Sequence, residues 1–197
     1  MSAPLVIGLD PSLVATGIAG LGWAEVLRPK RRTGHERLAW LRSEVADRVK
    51  RADLVVIEGP SHGSALQGGH HELAGLWWLL AQDLWAAGIP YAVCPPHNRT
   101  IYATGEAFPA RSYPKTMRSR VAKAMVRTAA AERYGVELEG VGKFDKADAL
   151  VMAMAGLDYI GFSVPAVPKT HRRALGGISW PEPAVLDLLH AACAQVD

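Results

Sequence analysis

Residues 4–27, "PLVIGLDPSLVATGIAGLGWAEVL", decide the fold class. The first seven residues form a short apolar run that ends at Asp10 and enters an Asp-Pro turn, which is typical of a buried strand. The rest of the stretch is rich in small and β-branched residues with turn glycines, and it predicts one or two further strands in a meander. The carboxylate at Asp10 is either a simple turn residue or part of a functional site.

The remainder of the chain alternates predicted helices with predicted strands. Apolar residues at helical spacing predict helices over residues 34–50, 73–88, 114–134 and 144–159, and compact apolar runs predict strands over 52–59 and 89–96. Residues 97–113 show no regular pattern, and a last short helix is predicted over 183–194. The predicted inward face of the third helix consists of Val121, Ala124, Met125 and Thr128. This order of elements indicates a single α/β or α+β domain with a mixed sheet.

Composition narrows the class of protein. The chain has 197 residues, of which 49% are apolar and 21% charged, as expected for one globular domain. No apolar run reaches the roughly 18 residues of a membrane-spanning helix, and the first residues lack a basic leader, so we expect neither a membrane segment nor a signal peptide. The two cysteines, Cys94 and Cys193, lie far apart, which favours a reducing cytosol and argues against a disulfide framework or a zinc module.

Positive charge is concentrated in two segments although the net charge is only +3. The first is "RPKRRTGHER" at residues 28–37. In the second, residues 99–133, eight Lys or Arg residues face only two acids, Glu106 and Glu132. A single charged run is usually a solvated surface, but two of them favour a polyanionic partner such as nucleic acid.

Four acidic residues occupy positions that packing alone does not explain. Asp10 and Glu58 each end a predicted buried strand, and if the two strands are neighbours, both carboxylates lie at one edge of the sheet. Asp145 and Asp148 share one face of a helix in "DKADALVMAMAG". Taken singly, each has an ordinary interpretation as a turn residue, a helix cap or a first-turn acid, and pairing with a nearby lysine is a further alternative.

Taken together, the four carboxylates favour a metal site. Four clustered carboxylates would repel one another, and bound divalent cations would remove that penalty. Oxygen ligands without cysteine or histidine suit Mg²⁺ or Mn²⁺, and two such ions about 3.5–4 Å apart could act on a phosphodiester.

Several segments resemble the RuvC family of Holliday-junction resolvases. "IGLDPSLVATGIA" is similar to the family's opening strand and hairpin, "DLVVIEGP" to its second acidic strand and "DKADALVMA" to its acidic helix. "PPHNRTIYATG" and "KTMRSRVAKAMV" resemble the basic segment between them. The resemblance covers roughly residues 4–159. It implies a ribonuclease H-like α/β fold with a mixed five-stranded sheet flanked by helices, and a two-fold symmetric homodimer. It also implies metal-dependent nicking of two opposed strands of a four-way DNA junction, which leaves 5′-phosphate and 3′-hydroxyl ends.

The resemblance also assigns residues. The catalytic and metal-binding set would be Asp10, Glu58, Asp145 and Asp148, with two Mg²⁺ or Mn²⁺ ions per site. The DNA-binding set would be Arg99, Lys115, Arg118, Arg120, Lys123 and His62. Where the family often carries an aromatic residue shortly after the second acid, this chain has Ser61 and His62.

The resemblance leaves the outer parts of the chain to be interpreted from the residues alone. We expect a nuclease domain over residues 1–160 and a C-terminal extension over 161–197, with a basic patch at 169–173 that either contacts DNA or is solvated. Trp77 and Trp78 cannot both face one core, because neighbours on a helix lie about 100° apart. We therefore expect Trp77 on the apolar stripe and Trp78 partly outward, where a dimer interface that involves both would cover it. The alternative is an ordinary exposed tryptophan packed under the C-terminal tail.

Other functions compatible with these patterns are a broader nuclease for forks and flaps, a non-catalytic junction-binding protein and an actin-like nucleotide-binding domain. The last would need a second domain and phosphate-binding glycine loops, so we expect no nucleotide cofactor. Intact acids argue against the non-catalytic binder, since a phosphate-binding surface would gain by losing them. We expect a cytoplasmic protein of a bacterium, or of a phage acting in its host.

Overall fold

The structure is a computed structural model that describes residues 3–60, 69–162 and 165–182. The strands are β1 (Val6–Asp10), β2 (Thr16–Gly20), β3 (Trp23–Leu27), β4 (Leu54–Glu58) and β5 (Tyr91–Cys94). The helices are α1 (Gly34–Val49), α2 (His70–Ala86), α3 (Pro96–Thr104), α4 (Lys115–Tyr134), α5 (Lys143–Tyr159) and the short α6 (Lys169–Arg172), which a 3-10 turn (Arg173–Gly177) follows. The predicted helix at 183–194, together with Ser61, His62 and Cys193, lies outside the described residues.

The strands form one mixed sheet in the order β3-β2-β1-β4-β5. β1, β2 and β3 are an antiparallel meander, whereas β4 and β5 run parallel to β1. The predicted mixed five-stranded sheet is confirmed. The pairing of β1 with β4 is the decisive feature, because it brings the carboxyl ends of two buried strands together.

Helices cover both faces of the sheet, which explains why its central strands are apolar at nearly every position. α1 and α2 pack on one face, against side chains such as Ile7, Leu9 and Ile57. α5 packs on the other face, over side chains such as Val6 and Val56, and α3 and α4 pack against α5. Residues of even number in β1 and β4 therefore point towards α5, and Asp10 and Glu58 belong to that set.

α5 lies unusually close to the sheet because two glycines have no side chain in its way. A Cβ atom placed on Gly8 would stand 1.9 Å from the carbonyl oxygen of Ala149, and one placed on Gly17 would stand 2.0 Å from that of Asp145. Real Cβ atoms do not approach oxygen so closely, so any larger residue would push α5 outward. These two glycines set the distance between the strand-end acids and the helix acids.

The expectation of irregular structure over residues 97–113 is wrong for its first part, where α3 forms. The helix begins after Pro95 with Pro96 in its first turn, a position that needs no backbone N–H. It ends at Gly105, whose φ of 83° is the left-handed conformation common after a helix. The polar sequence between these signals lacks a strong apolar stripe, and this hid the helix.

The predicted inward face of α4 is also wrong. The buried residues of this helix are Val126 and Ala130, while Met125 and Thr128 are exposed. α4 contacts α5 and α3 along a narrow line of side chains four residues apart. Its many alanines fit several faces equally well, so the sequence pattern did not distinguish them.

The segment 165–182 packs on α3 and β5. Asn98 of α3 donates a hydrogen bond to the carbonyl of Ala174 at 2.7 Å, and the backbone of Ser179 bridges to Val93. Within the predicted basic patch, Arg172 pairs with Asp158 at 2.9 Å. The division of the chain at residue 160 stays a prediction.

Within the described ranges, no helix is both long and apolar enough to cross a membrane.

We predict that Gly17→Ala lowers the free energy of unfolding by at least about 2 kcal/mol, because the added methyl group meets backbone rather than a movable side chain. Gly75→Ala is the control, since a Cβ at Gly75 meets nothing within 4 Å and alanine favours the helix. Urea denaturation of both variants measures the difference. Equal stability of the two variants would contradict the close packing of α5.

Candidate active site

Two acidic side chains meet at one end of the sheet because two parallel strands end there. Asp10 is the last residue of β1 and Glu58 the last residue of β4. The register of the two strands pairs Leu9 with Ile57, so Asp10 and Glu58 follow as neighbours. Asp10 is buried and Glu58 is partly buried, which places both carboxylates under α5 rather than in open solvent.

The first two turns of α5 bring two further acids to the same place. Asp148 is buried on the inner face of the helix, and Asp145 is partly buried one turn earlier. Asp145 is not the N-cap, because that position belongs to Gly142. Lys146 does not pair with these acids in the structure, since its Nζ donates to the carbonyl of Glu139 at 2.8 Å.

Arg99 places a guanidinium between acids from two different elements. Its Nη1 lies 2.7 Å from Oε1 of Glu58 and 2.6 Å from Oδ2 of Asp148, and only 11% of the side chain is exposed. The fold explains this position. β5 pairs Cys94 with Glu58, and α3 begins directly after β5, so the first turn of α3 stands beside the end of β4.

The buried charges change the protonation chemistry of the cluster. Burial raises the pKa of Asp10 well above its usual value, and the nearby charges of Glu58 and Asp148 raise it further. Burial likewise raises the pKa of Asp148 to about 7, although Arg99 opposes the change. Burial acts to lower the pKa of Arg99, but Asp148 and Glu58 outweigh it and the pKa rises. Four elements, β1, β4, α3 and α5, therefore hold one electrostatically coupled group.

The basic residues of α4 that were predicted to contact DNA differ in their distance from the acid cluster. Those at the start of α4 are exposed to solvent: Lys115, Arg118 and Arg120. Lys123 is also exposed, yet its charge acts on the acids of α5. Burial raises the pKa of Asp145, and the charge of Lys123 opposes that rise. Lys123 also acts to lower the pKa of Asp148. Lys123 thus lies between the open face of α4 and the acid cluster.

The donor set is chemically suited to a hard divalent cation. Four carboxylates share the site with Arg99 and Lys123, so four negative and two positive charges leave an excess of two negative charges when all are ionised. Oxygen ligands of this kind favour Mg²⁺ or Mn²⁺. Oε1 of Glu58 is buried and accepts no hydrogen bond of good geometry within the described part of the chain. Among the residues that the structure describes, no three Asp, Glu, His or Cys side chains are arranged as a ready-made metal site.

The connection from α3 to α4, residues 105–114, exposes an aromatic side chain that sequence reasoning missed. Phe108 is 73% exposed and lies at a cavity that Thr100, Ala122 and Arg118 also line. Thr100 follows Arg99 in the sequence and Ala122 precedes Lys123, so this cavity borders the two cations of the site. The sequence feature that could have identified Phe108 is the Phe108-Pro109 pair within a basic segment. Exposed aromatic residues among cations are typical of surfaces that stack on nucleic-acid bases.

α2 contributes one tryptophan to the site and presents two to solvent. Nε1 of Trp77 donates to the backbone carbonyl of Glu58 at 2.8 Å. Trp78 is 68% exposed, and Trp85, two turns later on the same face, is 71% exposed. The outward orientation predicted for Trp78 is confirmed, whereas the assignment of Trp77 and Trp78 to a dimer interface stays a prediction. His62 lies outside the described residues.

We predict that Asp148→Asn stabilises the metal-free protein above neutral pH. Because the pKa of Asp148 rises from 3.8 to about 7 on folding, its ionisation costs stability that accumulates as the pH rises between these values. The thermal midpoint in EDTA should increase by a few degrees at about pH 8 and by less at about pH 5. Asp47→Asn, an exposed acid of α1, should change little at either pH. A loss of stability in Asp148→Asn that is greatest at about pH 8 would contradict the charge balance described above.

Comparisons with known proteins identify the fold. No protein-family model matches the chain, and no protein of curated function matches it in sequence. Solved structures do match. The RuvC structure of Thermus thermophilus aligns with a TM-score of 0.59 and 18% identity over 82% of this chain and 99% of that chain. The structure of T. thermophilus RuvC in complex with Holliday junction substrate aligns with a TM-score of 0.54 and 19% identity over 83% and 100%. The chain therefore has the ribonuclease H-like fold of RuvC.

Proposed function

We propose that this protein belongs to the RuvC family and is a metal-dependent endonuclease that resolves four-way DNA junctions. The observation that carries the proposal is the meeting of Asp10, Glu58 and Asp148 around Arg99 at the carboxyl end of two adjacent parallel strands. This is the edge at which α/β sheets place their ligands. The solved complex of T. thermophilus RuvC with Holliday junction substrate, which shares the fold, supports the choice of substrate.

Asp10, Glu58, Asp145 and Asp148 would hold the metal, which we propose to be two Mg²⁺ or Mn²⁺ ions. When bound, such ions supply Lewis-acid stabilisation for the negative charge that develops on a phosphodiester during hydrolysis. The protein contributes the arrangement. The two strand-end acids are fixed by the sheet, and the two helix acids are fixed by the close approach of α5. Burial under α5 keeps bulk water away, which strengthens every electrostatic interaction inside the site.

The DNA backbone would approach from the side of α3 and α4. Lys115, Arg118 and Arg120 are exposed at the start of α4, where they would meet phosphates on either side of the scissile bond. Lys123 is one turn nearer the acids, so it would hold the phosphate that is cut. Phosphate contacts of this kind fix the position of the nucleic acid without reading its sequence.

Phe108 gives this surface a component that is not electrostatic. We propose that its exposed ring stacks on a base at the branch point, where pairing and stacking are already interrupted. Arg118 lies at the same cavity and places a cation beside the ring. In this arrangement the chain meets the branch from the α3–α4 connection, which compensates for the lack of an aromatic residue directly after Glu58.

Paired nicks on two opposed strands require two active sites, so we propose that the protein acts as a homodimer. Trp78 and Trp85 offer a large apolar surface on one face of α2. Burial of these rings against their two-fold copies would remove them from water. The hydrogen bond from Trp77 to the carbonyl of Glu58 connects the same helix to the acid cluster, so an interface on α2 would hold the two sites in a defined relation.

We predict that the wild-type protein with Mg²⁺ nicks synthetic four-way junctions into linear duplexes with 5′-phosphate ends, and does not cut linear duplex. Asp10→Asn and Asp148→Asn should each reduce the rate by at least about 100-fold, because each removes a ligand charge from the site. Both variants should still bind junctions in a gel-shift assay. Asp47→Asn is the matched control, since this exposed acid of α1 lies on the opposite face of the sheet.

Other outcomes of the same assay select other functions. Equal cutting of forks, flaps and four-way junctions would identify a broader nuclease for branched DNA. Tight junction binding with no cutting in any divalent metal would identify a non-catalytic junction-binding protein. Undiminished cutting by both acid variants would refute the proposed site.

For the dimer, we predict that Trp78→Glu combined with Trp85→Glu converts a dimer into a monomer in sedimentation velocity. A charge placed on each side of a two-fold interface meets its own copy, which adds repulsion to the lost apolar burial. Leu21→Glu, at an exposed apolar position of the β2–β3 turn, should leave the dimer intact. A wild-type monomer at working concentration would refute the α2 interface.

A further inference from the structure

Arg99 differs from an ordinary surface arginine in how it holds its carboxylates. One nitrogen, Nη1, makes both close contacts, to Glu58 at 2.7 Å and to Asp148 at 2.6 Å. Its Nε is buried and has no hydrogen-bond partner within the described residues. Arg99 therefore joins β4 and α5, and the same nitrogen is its nearest atom to both acids.

A second arginine of the same chain shows the arrangement of a permanent structural pair. Arg42 of α1 binds Asp83 of α2 in a two-pronged manner, with Nε at 2.8 Å and Nη2 at 2.6 Å from the two carboxylate oxygens. This geometry uses the planar fork of the guanidinium and is the strong form of the interaction. Arg99 instead divides its closest contacts between two carboxylates, and its Nε, which forms one prong of the Arg42 pair, has no hydrogen-bond partner within the described residues.

The contacts of Arg99 fall on oxygens that a divalent cation would need. Glu58 and Asp148 supply two of the four carboxylates of the site, and Arg99 neutralises them from the side of α3. A cation bound to the same oxygens would stand close to the guanidinium, and like charges repel strongly where water is excluded. The guanidinium and the metal are therefore competitors for one pair of ligands.

We propose that Arg99 is an internal counter-cation that occupies Glu58 and Asp148 in the metal-free protein and gives way when a divalent metal binds. This inference rests on the proposed metal-dependent function, since it concerns the same acids. By pairing with Glu58 and Asp148, Arg99 offsets the repulsion within the acid cluster without metal, at the expense of metal affinity. It then becomes available to a phosphate, which agrees with its predicted role in DNA binding.

The test is the binding of Mn²⁺ alone, without DNA, followed by the electron paramagnetic resonance signal of the free ion. Arg99→Gln removes the charge at similar length and should bind Mn²⁺ at least tenfold more tightly than wild type. Arg99→Lys keeps a cation and should bind close to wild type. Arg42→Gln breaks an arginine pair on the opposite face of the sheet and should leave Mn²⁺ affinity unchanged.

A second measurement needs no substitution and covers the case in which Arg99→Gln does not fold. In protein labelled with ¹⁵N-arginine, the Nε–Hε resonance of Arg99 should shift as Mg²⁺ is added, while that of Arg42 stays in place. If Mg²⁺ binds and the Arg99 resonance does not move, the inference is overturned.

The outcomes separate this inference from the proposed function. Equal or weaker Mn²⁺ binding in folded Arg99→Gln, with clear binding in wild type, overturns the role of Arg99 and leaves the nuclease proposal standing. Failure of the wild type and of every variant to bind Mn²⁺ overturns both.

Discussion

The site depends on one steric constraint, the close approach of α5 to β1 and β2. Gly8 and Gly17 permit it, because their missing side chains are replaced by the backbone of the helix. This contact brings the acids of α5 to the strand-end carboxylates of Asp10 and Glu58. A helix displaced by the width of a methyl group would keep the same sequence motifs and lose their convergence. Fold stability and site geometry are therefore linked at the same two positions.

Because the four acids converge in a partly buried site, their negative charges repel one another, and this repulsion determines how they ionise. Burial raises the pKa of Asp10, and raises that of Asp148 to about 7, so the cluster resists full ionisation without added positive charge. Arg99 and Lys123 supply part of that charge from α3 and α4. The negative charge that these two cations leave unbalanced is suited to a divalent metal. The basic face of α4 is suited to the phosphates that such a metal would act on. The RuvC fold arranges these parts in one place.

The mixed sheet and the four acids of the site could be predicted from the sequence, because each follows from a local pattern. Buried strands that end in an acid gave Asp10 and Glu58, and the three-residue spacing placed Asp145 and Asp148 on one helix face. The central position of Arg99 could not be predicted, because it depends on how β5 turns into α3, a helix with a weak apolar stripe. The exposure of Phe108 could not be predicted either, because it depends on how the connection between α3 and α4 packs. The inward face of α4 was missed because its many alanines fit several faces equally well.

If these acids form a divalent-metal site from which Arg99 withdraws, anomalous diffraction from crystals soaked in Mn²⁺ will reveal both the ion and the movement of the arginine. We expect an anomalous peak about 2.0–2.3 Å from carboxylate oxygens of the cluster, with Arg99 no longer in contact with both Glu58 and Asp148. A cluster without any peak at saturating Mn²⁺, and with Arg99 still bridging the two acids, would contradict it.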